Sequence, residues 1–221
     1  MAALFPMFFK LEGRRCVVVG AGAIASQKLE GLLDSGAEVR VVAPEASETI
    51  RELARRGRVA FTQAEFQPSH LEGALLAIAA TGNPEVNEQV FRAARERGVL
   101  CNAVDEPERC DFFYPAVVRR GDLQIAISTA GKSPALAQRI RMELEEQFDA
   151  SYGRWLDWLG AVRQMLFRRE VEPGLRKQTL HRIAGRAIFE RFKSSRVQAG
   201  RLQSPQQAKH GHVGGPGGKH G

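Results

Sequence analysis

Short, nearly continuous apolar runs alternate with stretches of helical spacing through the first half of the chain. Cys16–Val19 is a β-rich run that ends in glycine. Ile24, Leu29, Leu32 and Leu33 behind it form a helical stripe closed by Ser35-Gly36. Val39–Ala43 predicts a second strand, and Pro44 then opens a helix holding Ile50, Leu53 and Ala54 that stops at Gly57. Val59–Thr62 is a weaker third strand. Leu75–Ala80 is a wholly apolar fourth, suited to a sheet interior. Glu85–Arg97 reads as a helix stopped at Gly98, and Val99–Val104 as a fifth strand. Repeated βα alternation of this kind predicts an α/β fold, a doubly wound parallel sheet with helices on both faces.

Beyond Asp111 the pattern changes. Tyr114–Arg119 and Leu123–Ser128 are two β runs joined by the hairpin signal Arg120-Gly121-Asp122. Ser133-Pro134 opens a long helix to Phe148, with Pro at the first helical position behind a capping Ser. Residues 151–193 are helical in pattern, with Trp155, Trp158, Leu159, Val162, Leu166 and Phe167 on one face and a break at Glu172-Pro173-Gly174. From about Ser194 the chain turns polar and then Gly/His-rich, a composition that cannot bury apolar surface. The expected organisation is a nucleotide-binding unit over 1–112, a hairpin/helix dimerisation segment over 113–149, a small helical domain over 150–193 and a disordered tail over 194–221.

Composition narrows the function classes. No apolar stretch is long enough to cross a bilayer. The N-terminus carries no charged side chain before Lys10, the reverse of a secretory signal, so a cytoplasmic location and no membrane partner are expected. Three cysteines without a close pair argue against a disulfide framework or a zinc knuckle. The net charge of +7 is uneven: residues 1–149 carry 18 Lys/Arg against 21 Asp/Glu, residues 150–221 carry 14 against 4. A basic C-terminal third calls for an anionic partner. Its basic residues are not interleaved with aromatics as a nucleic-acid platform requires, so a polycarboxylate is expected and nucleic acid is not. His210, His212 and His220 in the tail are read as solvated, with loose metal capture as the alternative.

Gly20-Ala21-Gly22-Ala23-Ile24-Ala25 fits G-x-G-x-x-G/A between a strand and a helix, the setting in which that pattern marks a Rossmann dinucleotide site. Gly20 permits the tight turn, Gly22 lets the backbone approach a pyrophosphate, and Ala25 permits close packing of helix on strand. The pyrophosphate would lie on the helix N-terminus, where free N–H groups point. Glu45, just past the second strand, is placed to meet the ribose 2′-hydroxyl; the other reading is a first-turn helix acid. No Arg directly follows that strand to take a 2′-phosphate, so NAD⁺ is favoured over NADP⁺.

Further blocks join the glycine turn and the Lys28 that follows it: Phe5-Pro6 with Leu11, Val41-Val42-Ala43-Pro44, and Ala79-Ala80-Thr81 with Asn87. Cys101-Asn102-Ala103-Val104-Asp105, Phe113-Tyr114-Pro115-Ala116 and Ile127-Ser128-Thr129-Ala130-Gly131-Lys132-Ser133-Pro134 complete the set. With these, the chain resembles the precorrin-2 dehydrogenase / sirohydrochlorin ferrochelatase family, the N-terminal module of siroheme synthases and its stand-alone relatives. The resemblance covers most of residues 5–148 and departs at Ala21, where the family's turn usually carries glycine, and at Thr129, where some members carry serine. It implies NAD contacts at Ala23, Ile24, Pro44 and Glu45, with Thr81 and Asn102 joining the cofactor set from their blocks. It implies that Asp105 is the key carboxylate, that the protein is a homodimer, and that precorrin-2 is oxidised to sirohydrochlorin. Some relatives also insert Fe²⁺ into that product, and the sequence leaves this open. No uroporphyrinogen methyltransferase domain follows, so a stand-alone enzyme is expected.

Asp105 lies just past the fifth strand, where α/β sheets bind ligands, and a carboxylate there can orient or deprotonate macrocycle N–H groups; a turn-capping Asp is the alternative. In the hydroxyl-rich loop before the helix at Pro134, Ser128, Thr129 and Lys132 are candidates to hold a substrate carboxylate, against a plain capping loop. Arg139 and Arg141 are candidate clamps or solvated helix-surface residues. The Tyr-x-x-x-Lys pair of short-chain dehydrogenases is absent, since Val118 and Leu156 follow the two tyrosines at that spacing. A non-catalytic nucleotide-sensing module is the rival from another class.

Overall fold

The computed structural model describes residues 4–202, with side chains to Ser195; the His-rich stretch from residue 203 lies outside the described residues. Five parallel strands, β1 (Arg15–Val19), β2 (Glu38–Ala43), β3 (Ala60–Gln63), β4 (Leu76–Ala79) and β5 (Leu100–Ala103), form one sheet in the order β3-β2-β1-β4-β5. β1 and β4 sit inside it, which is why their sequences are apolar without alternation. β3 is an edge strand with mostly exposed residues, which explains its weak signal. Successive residues of each strand face opposite sides, so the core has two layers. Cys16, Val18, Val41 and Ile78 pack with Leu29 and Leu32 of α1 (Ala23–Asp34) and Ile50 of α2 (Glu48–Arg55). Val17, Val19, Ala77 and Cys101 pack with Val90, Ala93 and Ala94 of α3 (Pro84–Glu96).

The fifth strand lies at the other edge yet is buried. The chain beyond it folds back: Asn102 and Cys110 form an antiparallel bridge, the Asp111 N–H donates to the Cys101 carbonyl at 2.7 Å, and the Asp111 carboxylate accepts from the Cys101 N–H at 2.8 Å. This return segment covers backbone that an edge would expose, and it places the 104–106 turn at the mouth of the sheet.

Two compact units make up the chain. The first takes residues up to Ala116 together with Ile127–Gln138; the second takes Val117–Ala126 and the chain from Arg139. The division cuts across the expected 113–149 segment. In the second unit, the turn of the hairpin β6 (Ala116–Arg120) and β7 (Leu123–Ile127) is held by the C-terminal end of α4 (Pro134–Gln147) and the residue beyond it. The Arg120 guanidinium donates to the carbonyls of Phe148 at 2.6 Å and Glu145 at 3.0 Å. Gly153 of α5 (Ser151–Arg168) lies so close that a Cβ would stand 2.7 Å from the Arg120 carbonyl oxygen. Trp155 is buried as its place on the apolar face requires, and Phe189 joins it at 4.8 Å and Tyr152 at 4.2 Å.

Two helix boundaries differ from the expectation. α2 begins at Glu48 behind Ser47, not at Pro44, so Glu45 lies in the turn after β2 and is not a first-turn acid. The 151–193 region holds three helices, because Ala184-Gly185 separates α6 (Pro173–Ile183) from α7 (Arg186–Leu202). Gly185 is a second break inside a helical apolar pattern that reads as continuous, and α7 runs on past residue 193.

Candidate active site

The C-terminal ends of β1 and β4 flank the point where strand order reverses, the place where open α/β sheets form a crevice. Gly20 leaves β1 at φ +107°, and a Cβ there would lie 2.3 Å from the Ala80 carbonyl oxygen. Glycine is required at this position by the close pass of the segment leaving β4. Gly22 differs: it is the N-cap of α1, its φ is an ordinary −86°, no side chain caps the helix, and a Cβ would meet nothing within 4 Å. Open space thus lies before a helix start whose first N–H groups have no intrahelical acceptor, an arrangement that fits a pyrophosphate. The Ser47 N–H donates to the Ala21 carbonyl at 3.0 Å and ties the turn after β2 to this loop. Ala23, Ile24, Pro44 and Glu45 are all exposed around it, with Ile24 at 45% an unusually open apolar side chain for a helix start. These residues fit a dinucleotide.

Thr81 is tied inward. Its hydroxyl donates toward the Asn87 Oδ1 at 2.7 Å and the Asn83 carbonyl at 2.9 Å, and its N–H donates to the same Asn87 Oδ1 at 3.2 Å. Asn87 is buried, and its Nδ2 donates to the Thr81 carbonyl and to Glu106 Oε1, both at 3.3 Å. Glu106 pairs with Arg109, and Arg109 reaches Glu88 at 3.2 Å. One polar network therefore joins the loop after β4 to the turn after β5.

That turn carries Asp105 at φ +63°, a left-handed conformation that Asp tolerates better than most residues. Its carboxylate is exposed and, among the described residues, has no hydrogen bond or ion pair. It lines a cleft of about 250 Å³ together with Asn102, Ser128 and Thr129, and with Lys28, Cys110 and Tyr114. The Asn102 amide donates to the Phe112 carbonyl at 2.8 Å and to Cys110 Sγ at 3.3 Å, so its Nδ2 holds the return segment. The Thr129 hydroxyl donates to the Ser133 carbonyl at 3.1 Å and accepts from the Ser133 N–H at 3.2 Å, and so shapes the loop. Ser128 Oγ accepts from the Ala130 N–H at 3.2 Å and keeps its own proton to donate. Lys132 is exposed on this loop but does not line the cleft. Arg139, in the second unit, pairs along α4 with Glu143 at 3.2 Å. Burial pushes the Cys16 thiol up to about 11 and the Cys101 thiol up to about 12, and raises Cys110, so none is a ready thiolate nucleophile.

Lys28, Tyr114 and Asn87 belong to the blocks that carry the resemblance, yet sequence reasoning gave them no role. Asn87 had a signal of its own: it occupies a buried position of α3, three and seven residues before Val90 and Ala94, where an apolar residue is expected. Lys28 had none.

A family model described as “Putative NAD(P)-binding” matches residues 7–116, and one described as “Sirohaem biosynthesis protein central” matches 120–147. Siroheme synthase of Methylobacillus flagellatus is 36% identical over 96% of this chain and 48% of its own length. That of Chromobacterium violaceum is 41% identical over 68% of this chain and 32% of its own. The chain belongs to the siroheme synthase family. It spans about half or less of these curated relatives. A solved structure titled “SirC, precorrin-2 dehydrogenase” superposes with a TM-score of 0.75 at 27% identity, covering 90% of this chain and 99% of that one. The segment matched by the NAD(P)-binding model contains the open Gly22 turn. The family match also brings the hairpin and α4 into a second family segment that the Rossmann pattern alone does not predict.

Proposed function

We propose that this chain oxidises precorrin-2 to sirohydrochlorin with NAD⁺ as electron acceptor. Asp105 carries the reading. It is an unpaired carboxylate, held in a left-handed turn at the end of β5 and lining a cleft, in a chain whose fold matches a precorrin-2 dehydrogenase over nearly all of that protein's length. The oxidation takes a hydride equivalent from a ring carbon and a proton from a ring nitrogen, and bound NAD⁺ supplies the acceptor for the first. The Asp105 carboxylate accepts the second and, being exposed, passes it to solvent. The first N–H groups of α1 and the open face of Gly22 hold the pyrophosphate, with Ala23 and Ile24 beside it and Pro44 and Glu45 toward the ribose. A carboxylate at Glu45 favours a ribose 2′-hydroxyl over a 2′-phosphate, hence NAD⁺ over NADP⁺. Ser128 and Lys132 remain candidates for the substrate's carboxylates. Thr129, which lines the cleft, and Arg139 remain candidates as well, although each already has a partner four residues on.

Two further parts belong to this reading. Free thiols at Cys16, Cys101 and Cys110 suit a reducing compartment, so the reaction is assigned to the cytoplasm. A homodimer belongs to this reading because the family resemblance implies one. Sedimentation at micromolar concentration should give twice the chain mass of 24.4 kDa, and a monomer would refute the dimer.

The deciding experiment adds precorrin-2 to the purified chain with NAD⁺ and follows NADH. Wild-type protein should form it, and Asp105→Ala should lose at least about 100-fold in kcat, the scale of one acid–base group, while binding NAD⁺ as before. Turnover equal to wild type in Asp105→Ala removes the residue from the mechanism. NAD⁺ binding with no NADH from wild type makes the chain a nucleotide sensor instead.

A further inference from the structure

We propose that Lys28 is the anchor for a carboxylate of the substrate, in the same cleft as the carboxylate at Asp105. The proposal rests on the precorrin-2 reading and names a contact within it. Lys28 rises from α1, is half-buried, and lines the same cleft as Asp105, Ser128 and Tyr114. Its ammonium lies 4.2 Å from the centroid of the Tyr114 ring. Among the described residues no carboxylate pairs with it. A partly desolvated cation without an anion is unfavourable, and an incoming carboxylate relieves that penalty. The ring face steadies the ammonium without using up its N–H donors, because a cation–π contact needs no directed hydrogen bond.

Of the charged residues that line the cleft, Glu106 is paired with Arg109, and Lys28 and Asp105 are left without an ion-pair partner among the described residues. A macrocycle that bears N–H groups at its centre and carboxylates at its rim matches this pair: N–H toward Asp105, carboxylate toward Lys28. The loop that brings Ser128, Thr129 and Gly131 to the same cleft has backbone in the left-handed region at two successive residues, Ala130 at φ +52° and Gly131 at φ +78°. For Ala130 this costs about 1–2 kcal/mol. Strain kept in a loop that lines a cleft is the pattern of a shaped binding edge.

The test separates charge from packing. Lys28→Met keeps an apolar stem over Tyr114 and removes the charge, whereas Lys28→Arg keeps the charge and the ring contact. Lys28→Met should raise KM for precorrin-2 about tenfold or more, the worth of one charge-assisted hydrogen bond, with kcat and NAD⁺ affinity retained. Lys28→Arg should recover most of the loss. The wild-type KM should rise with salt and that of Lys28→Met should respond less. Fluorescence titration with uroporphyrin, a polycarboxylate porphyrin, in the absence of NAD⁺ gives a readout independent of turnover. Lys28→Met should bind it more weakly than wild type by a similar factor. If wild type forms no NADH yet shows this difference, the activity reading fails and the anchor stands. A KM and a uroporphyrin affinity within twofold of wild type in Lys28→Met overturn the anchor, as does an equal loss in Lys28→Arg. Thermal unfolding of each variant accompanies the assays. If Lys28→Met does not fold, Lys28→Gln takes its place under the same criteria.

Discussion

Two glycines separated by one residue should respond to the same substitution in opposite ways. Gly20→Ala puts a methyl group 2.3 Å from the Ala80 carbonyl oxygen and 2.7 Å from its carbon, on a residue whose φ is +107°. The conformation alone costs an L-residue about 1–3 kcal/mol. The clash is with backbone just past β4, which cannot move without pulling an interior strand, and overpacking of that kind costs about 1–3 kcal/mol more. Replacing glycine restricts the unfolded chain and returns about 0.4–1 kcal/mol. The net loss is therefore about 1–5.5 kcal/mol, up to a large share of the roughly 5–15 kcal/mol that holds a domain folded. At Gly22 none of this applies: φ is −86°, and a Cβ meets nothing within 4 Å. Gly22→Ala should leave stability within about 0.5 kcal/mol. If that open space holds the pyrophosphate, Gly22→Asp should weaken NAD⁺ by about tenfold or more through steric conflict and like charge. Urea unfolding of the three variants measures the first quantity, and calorimetric titration with NAD⁺ the second. A Gly20→Ala midpoint equal to wild type would refute the packing argument. Unchanged NAD⁺ affinity in Gly22→Asp would show that the turn is not the phosphate site.

Two other predictions concern polar contacts. Asn87→Leu strips the shared partner from Thr81 and Glu106, and should cost about 1–3 kcal/mol; kcat should fall with it because the Asp105 turn loses its brace, and unchanged kcat in the folded variant would break that link. The Asp149 carboxyl is held down to about 2, first by the hydrogen bond from Lys193 and then by those from Ser151. A depressed pKa stabilises the fold above the unfolded value near 4, and the gain disappears as pH falls from there toward 2. Because Asp149 is 43% exposed, screening limits the effect to about 0.5–1 kcal/mol. Asp149→Asn should lower stability at neutral pH and narrow its gap to wild type near pH 2; a gap that does not change with pH would show that the charge is idle.

The sequence by itself determines what depends on near neighbours. Apolar runs without alternation mark β1 and β4 as interior strands, and the glycine turn between strand and helix marks the dinucleotide loop. Arg120-Gly121-Asp122 marks the hairpin, and Ser133-Pro134 marks the start of α4. Each signal works because backbone conformation and periodicity are local properties. A feature that needs two distant segments to meet is decided only in the tertiary structure. The return of residues 110–112 over β5 turns an edge strand into a buried one and sets the left-handed turn at Asp105. Asn87 couples to Glu106, and Lys28 meets Tyr114, through a sheet order that puts β4 beside β1 and β5 beside β4. By contrast, the partners of Thr129 and Arg139, Ser133 and Glu143, lie four residues further on, so those contacts are local ones. The hairpin turn joins the helical unit because Gly153, with no Cβ, lets α5 approach Arg120. A side chain's chemistry is written in the chain; which partner it finds depends on where folding brings the rest.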